Sequence, residues 1–395
     1  MTSTMASTAA QSIPTIVIDE AGTKPIANNN LSEALTAIAK AHVEGFTAES
    51  TTSSQVKTKA HTTTGSAYFF DGTTDGKKDA TIDYSTGVTT AKMPKRVEVE
   101  VEDMRHLSPV PSFHSSGYEL VNHTTQMHPT QLANTTSPEG IEFIRNAYFP
   151  EVQKLIQKVT GAADVRPYIV RSRKQLNQPD WITGRTPQSA LPLQHVDFDH
   201  LTGPQSIRDE FGEEEGNRLM RTHKRFAQVN VWRAIGTPVE RWPLMFVETD
   251  GVAGGFDYDT HTRKVYGKNS PRVGLRRPRT HDVILAQDPN FKYRYASKLQ
   301  VDEALVFSSF DSQPAKVVPH GAFWDNATLD EAPARFSIEC RTWCFFDPIE
   351  EDEEVEVVAV EEKKAEEEPV PISAMEKLLS VLNAKMLAQL RNMLL

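Results

Sequence analysis

The segment Leu193-Gln194-His195-Val196-Asp197 spaces a histidine and an aspartate as His-x-Asp. On a β-strand, residues i and i+2 point to the same face, so this imidazole and carboxylate converge on one point. A second histidine from elsewhere would complete a two-histidine, one-carboxylate set that binds a metal and leaves positions open for other ligands. His-x-Asp is short enough to arise by chance, and Asp199 and His200 stand beside it. Asp199 shares the His195 face in a regular strand, so Asp197 is preferred on the motif alone.

Several histidines could be the distal ligand. His223, His261 and His281 sit in polar segments that read as loop or helix. His320 follows a strand-and-turn pattern, Asp302 to Asp311, and precedes another strand after a short loop, which puts it on the body of the fold. Fifteen residues further on comes Arg335-Phe336-Ser337. A planar guanidinium grips a carboxylate through two parallel hydrogen bonds, and a hydroxyl on the same strand face adds a third. Arg335, Ser337, Glu339 and Arg341 alternate onto one face, with Phe336, Ile338, Cys340 and Cys344 on the other. Periodicity alone leaves two questions open: whether the polar face meets water, and whether Arg335 or Arg341 is the clamp. Position relative to His320 favours Arg335. Asn230 and Trp232 share a face of a further strand, and Asn230 and Arg233, if buried, need partners that a cosubstrate or substrate could supply.

The elements that must position these groups are mostly short strands. Arg96 to Val101, Val165 to Val170, Phe226 to Trp232, Leu244 to Val247, Ala304 to Phe310 and Phe336 to Phe346 read as strands. Ile141 to Thr160 has helical spacing, kinked or broken at Pro150 and stopped by Gly161, and a second helix fits around Ile207 to Arg225. Strands at this density predict a mainly β fold with flanking helices, a sandwich or jelly-roll barrel. The reading divides the chain into a disordered leader with one short helix (1–66), a jelly-roll domain (67–347), an acidic linker (348–372) and an amphipathic C-terminal helix (373–395). In that helix, Ser373 and Glu376 fit a capping box, and Met375, Leu379, Leu382, Met386, Leu390 and Met393 make one apolar stripe. The stripe suits packing on the chain's own body or a homodimer contact.

Bulk properties exclude other classes. The net charge is −10, but the segment from Glu350 carries 12 acidic and 5 basic residues, so the body is close to neutral. A near-neutral body lacks the basic face of a nucleic-acid binder. No apolar run approaches the roughly 20 residues of a membrane helix, and the first thirty residues lack a signal-peptide pattern. Two cysteines, Cys340 and Cys344, make neither a disulfide framework nor a zinc site, and fit a cytoplasmic protein.

Together the segments resemble a fungal family of iron- and 2-oxoglutarate-dependent hydroxylase/desaturases, the CmcJ/NvfI/AsaB-like group. The resemblance runs from about Tyr68 to Asp347. It rests on Asp103-Met104-Arg105, Gly117-Tyr118-Glu119-Leu120, Ile141 to Gly161, His195-Val196-Asp197 and Asn230-Val231-Trp232-Arg233 with Pro243-Leu244. It continues in Asp302 to Asp311, Pro319-His320-Gly321-Ala322-Phe323 and Arg335 to Arg341. The resemblance implies a double-stranded β-helix, a jelly-roll of cupin type, and oxidation of a small organic molecule, often a secondary metabolite. It implies Fe(II) on His195, Asp197 and His320, the catalytic set, with O2 and 2-oxoglutarate as cosubstrates. Arg335 and Ser337 would hold the far carboxylate of 2-oxoglutarate, with Arg341 and Asn230 as further cofactor-binding candidates and Trp232 and Arg233 on the substrate. Gly254 to Lys292, polar and basic, reads as an insertion or lid. Two other classes fit less well: a zinc hydrolase would leave the Arg-x-Ser unexplained, and a non-catalytic binding subunit does not require an intact metal set.

Overall fold

Fifteen strands carry the described residues. A computed structural model describes residues 61–175, 189–252, 255–269, 280–313 and 317–349. They are β1 (Thr62–Phe69), β2 (Ala80–Asp83), β3 (Lys95–Asp103), β4 (Tyr118–Asn122), β5 (Asp164–Gln175), β6 (His195–Val196), β7 (His223–Ala234) and β8 (Leu244–Glu248). There follow β9 (Thr262–Lys268), β10 (His281–Leu285), β11 (Lys292–Tyr295), β12 (Glu303–Asp311), β13 (His320–Ala322), β14 (Trp324–Asp325) and β15 (Arg335–Pro348). One sheet has ten strands in the order β14-β1-β3-β11-β8-β13-β6-β10-β9-β2; the other has five, β4-β12-β7-β15-β5.

The architecture is the mainly β jelly-roll with flanking helices. Its core lies between the sheets: Val101, Val196, Met245 and Val283 of the large sheet pack with Phe310, Trp343 and Phe345 of the small one. Phe246 of β8 meets Phe307 of β12 with ring centroids 5.0 Å apart. The opposite face of the small sheet is apolar too. Val229, Val231, Val306, Ile338, Cys340 and Cys344 pack there against Ile144, Tyr148, Val152 and Ile156 of a helical segment. That segment begins at Pro138, where the Ser137 hydroxyl accepts from Gly140 N–H, and ends at Gly161, whose φ of 70° suits a residue without Cβ. Pro150 does not break it. The turn Ile144–Tyr148 widens into a π-helix, with the Phe149 N–H reaching back to Ile144 O, and Phe149–Thr160 continues as an α-helix.

Three expectations change. The leader was to reach residue 66, yet Thr62 to Ser66 already lie in β1, paired with β3 from Thr62↔Glu102 to Phe69↔Lys95. Threonine is β-branched and suits a pleated surface, so Thr-rich composition misled there. The helix expected over Ile207 to Arg225 is two, Thr202–Phe211 and Glu213–Arg221, separated by Gly212 at φ 85°, and strand begins at His223. The stretch read as an insertion or lid contains β9 and β10, and β10 pairs directly with β6 at Ile284↔His195. That stretch therefore includes a neighbour of the motif strand. The helix expected near residues 31–46, the acidic linker beyond residue 349 and the helix at 373–395 lie outside the described residues.

Candidate metal centre

The backbone ladder brings His195 and His320 together. They are register partners on the antiparallel strands β6 and β13, and both are buried. His195 Nδ1 lies 2.8 Å from Leu193 O and His320 Nδ1 lies 3.1 Å from Val318 O. A carbonyl only accepts, so each ring donates from Nδ1 and keeps the Nε2 lone pair. His320 Nε2 is buried without a hydrogen-bond partner. Burial, then His320 beside it, pushes His195 down to about 3, and burial likewise lowers His320. Both rings are thus neutral near pH 7, the form in which imidazole binds a metal.

Asp197 follows one turn of the pleat after His195, with Oδ1 3.9 Å from His195 Nε2. One donor atom each from His195, Asp197 and His320 all lie within 4.8 Å of one another, close enough for the three to be drawn onto one ion. Among the described residues this is the cluster of histidine, cysteine and carboxylate side chains that could hold a metal. The competing carboxylate is committed elsewhere. Asp199 Oδ1 accepts from Leu201 N–H, Thr202 N–H and the Thr202 hydroxyl, while Oδ2 meets His281 Nε2 at 2.7 Å and Lys264 Nζ at 3.5 Å. Burial opposes its ionisation, but His281 and Thr202 hold the carboxyl well below its usual range. His281, read as lying in loop or helix, opens β10 instead.

The polar face of β15 points into the barrel rather than to water: Arg335, Ser337 and Arg341 are 2%, 1% and 6% exposed. Arg335 donates from Nε to Ser337 Oγ at 3.1 Å and from Nη1 to Trp242 O at 3.1 Å, and its guanidinium lies 5.0 Å over the Trp232 ring. No carboxylate among the described residues pairs with it. Burial, then the neighbouring Arg173, pulls Arg335 down to about 9, which marks a cation short of counter-charge. A buried guanidinium in that state fits an anionic ligand.

Arg341 is placed differently. Its Nη1 lies 2.8 Å from Asp197 Oδ1 and its Nε donates to Glu339 Oε1 at 2.6 Å. Burial works against its charge, but Asp197 and Glu339 outweigh burial and hold the guanidinium above its usual value. Asn230, fully buried, donates from Nδ2 to Asp197 Oδ2 at 3.0 Å. Arg341 and Asn230 therefore both face the aspartate. Trp232 shares the inner face beneath Arg335. Arg233 is a correction: one residue on, it projects to the other face, where Nη2 meets His123 Nδ1 at 2.6 Å and Nη1 stands 3.8 Å from Glu151. Strand alternation separates it from the triad.

Sequence reasoning missed Arg173, Trp242 and Ser309. Arg173 belongs to β5 opposite Ser337, but the strand reading stopped at Val170. Trp242 contributes its carbonyl and Ser309 its hydroxyl, which receives Asp197 N–H at 3.1 Å. Neither group has a sequence signature.

Residues 67–345 match the family described as an oxidoreductase/YMDC permease-like domain. Among the described residues no helix is long and apolar enough to cross a membrane. Oxidoreductase R2 of Phoma sp. is 40% identical over 293 residues, covering 73% of this chain and 98% of that protein. Hydroxylase/desaturase asaB of Aspergillus flavus is 30% identical over 179 residues, 39% of this chain and 68% of that one. Among solved structures, the iron and alpha-ketoglutarate-dependent endoperoxidase NvfI superposes with a TM-score of 0.61 at 19% identity, over 73% of this chain and 99% of that one, so the two share the fold. The chain belongs to this oxidoreductase family, with fungal proteins named oxidoreductase and hydroxylase/desaturase among its relatives.

Proposed function

We propose that the protein is a non-haem Fe(II)- and 2-oxoglutarate-dependent oxygenase that hydroxylates or desaturates a small organic molecule, a secondary metabolite. The observation that carries this reading is the convergence of His195, Asp197 and His320 inside the barrel, with His320 Nε2 buried and unpartnered. The donor set fits Fe(II): two neutral imidazoles and one carboxylate leave open positions for cosubstrates. Bound iron, with 2-oxoglutarate and O2, would supply the oxidising power to remove a substrate hydrogen, releasing succinate and CO2.

The rest is the work of the chain. Leu193 O and Val318 O fix the two imidazole planes through Nδ1, so both Nε2 atoms point to one place. Arg335, steadied by Ser337, Trp242 O and the Trp232 face, would take the far carboxylate of 2-oxoglutarate. Trp232 and the aromatic and aliphatic wall around Phe307 and Phe246 keep bulk water from the reacting centre.

The reading extends to a jelly-roll domain over 62–347, which takes in all of β1, a cytoplasmic location and a homodimer through the C-terminal helix. The buried, free Cys340 and Cys344 support a reducing compartment, and the apolar stripe from Met375 to Met393 supports the dimer. Light scattering of the full chain against a chain ending at residue 372 tests the dimer.

Anaerobic titration with Fe(II) and then 2-oxoglutarate tests the function. A visible charge-transfer band should appear and be lost in His195→Ala. Metal bound without that band would overturn the assignment.

A further inference from the structure

Asp197 is held differently from the two histidines. Each imidazole is oriented by a carbonyl two residues before it, whereas the aspartate is gripped across the barrel. It follows β6 in the ten-stranded sheet, yet its partners come from three adjacent strands of the five-stranded sheet. Ser309 of β12 receives its backbone N–H at 3.1 Å, Asn230 of β7 donates to Oδ2 at 3.0 Å, and Arg341 of β15 stands 2.8 Å from Oδ1. Asn230 and Arg341 are cross-strand register partners, so the ladder itself sets the spacing of the two donors. Glu339, on the same face as Arg341, accepts from its Nε at 2.6 Å and fixes the plane of the guanidinium.

Each carboxylate oxygen has its own donor, Asn230 on Oδ2 and Arg341 on Oδ1. The carboxylate plane is therefore fixed, with Oδ1, 3.9 Å from His195 Nε2, turned towards the histidines beside the Arg341 guanidinium. A carboxylate free to rotate can bind an ion through both oxygens and fill a position that a cosubstrate needs. A lone cation beside a divalent metal would repel it, but Glu339 balances the charge of Arg341. The guanidinium fork can serve Glu339 and Asp197 together, which a lysine ammonium on one stem cannot do with the same geometry.

We propose that Asn230 and Arg341, the latter oriented by Glu339, are positioning residues that present Asp197 to the metal through a single oxygen and so keep the remaining positions open. The inference rests on the metal-site reading above, and reassigns two residues expected to touch a cofactor. Outer partners of metal ligands typically change affinity by about 10–100-fold when removed.

The test uses the full chain with Co(II) as the probe, read by equilibrium titration and by the visible d–d spectrum. Asn230→Leu keeps the size of the side chain and removes the donor. It should weaken Co(II) binding by about 10–100-fold and change band positions and intensities as the second oxygen joins the metal. Arg341→Lys should shift the spectrum in the same sense with a smaller loss of affinity, and it carries the test alone if Asn230→Leu does not fold. His195→Ala should abolish binding. Wild-type affinity and spectrum in both Asn230→Leu and Arg341→Lys, with binding lost in His195→Ala, would overturn the positioning role and leave the metal site standing. Undiminished Co(II) binding in His195→Ala would overturn the metal site itself.

Discussion

His195 and His320 stand opposite one another across β6 and β13 with ring centroids 4.6 Å apart, although 125 residues separate them in the chain. A sheet ladder, not a pair of loops, sets their distance, and β8 flanks β13 on its other side at His320↔Phe246. Alanine at His195, Asp197 or His320 should therefore remove a ligand without removing the scaffold. Metal-dependent turnover should fall to background while the far-ultraviolet dichroism stays that of the parent. Full activity in His195→Ala or Asp197→Ala would sink the assignment of the metal site.

Arg335 and Arg341 lie on one face of β15 with different partners, and their variants should fail in different ways. Arg335→Ala removes a buried charge-assisted clamp of about 1.5–3 kcal/mol. The 2-oxoglutarate concentration for half-maximal rate should rise by roughly 10- to 150-fold, and lysine should restore little of it because it lacks the planar fork. Should Arg341→Ala raise the 2-oxoglutarate requirement and Arg335→Ala leave it alone, the clamp has been given to the wrong arginine.

The alternation of β15 was legible in the sequence because side chains on a strand repeat every two residues, and the burial of Arg335 and Ser337 then required the structure. Whether a polar face meets water or an interior depends on the opposite sheet, which no local pattern encodes. The choice between Asp197 and Asp199 was equally closed to periodicity. It turns on His281, 82 residues away, and on the Thr202 amide at the start of a helix. Arg233 was misassigned through nearness in sequence, since neighbours on a strand face opposite ways. The short β6, two residues long, could be placed only by its histidine, as nothing in its length marks a strand.

Asp199 should behave as a structural residue. Asp199→Asn weakens the contacts to His281 and Lys264 and leaves the triad in place. Co(II) affinity should stay within about twofold, while stability falls by about 1–3 kcal/mol, the range for a buried hydrogen-bonded charge that loses its partner. A titration beside a thermal melt separates the two effects, and loss of metal with an unchanged melt would make Asp199 a ligand after all.

Gly321 sits where the distal strand crosses the motif strand. A Cβ there would lie 2.6 Å from Gln194 Nε2 and 2.9 Å from Leu193 O, the carbonyl that orients His195. Gln194 itself ties the strands together by donating to Ala322 O at 3.1 Å. Gly321→Ala should cost about 1–3 kcal/mol by overpacking and tilt the His195 ring, lowering both the melting temperature and metal affinity. An unchanged melt and an unchanged Co(II) spectrum would show that this crossing is looser than the contacts imply.

Acid should destabilise the chelator-treated protein through its buried histidines. Burial holds His195 at about 3 in the folded protein, against an ordinary 6.5, and burial also lowers His320. Above 6.5 both rings are neutral in the folded and unfolded chains, and neither contributes a pH dependence. Below 6.5 the unfolded chain binds protons that the folded one refuses, so unfolding becomes easier as pH falls from about 6.5 towards 3. Urea midpoints at pH 7, 6, 5 and 4 should fall accordingly, and His195→Asn should flatten part of the slope because asparagine does not titrate. Since the folded His195 ring is already neutral at pH 6, Co(II) binding there should release almost no proton from it. Calorimetry in buffers of different ionisation enthalpy measures that number directly, and release of a full proton per ring would mean that the imidazoles are charged before metal arrives.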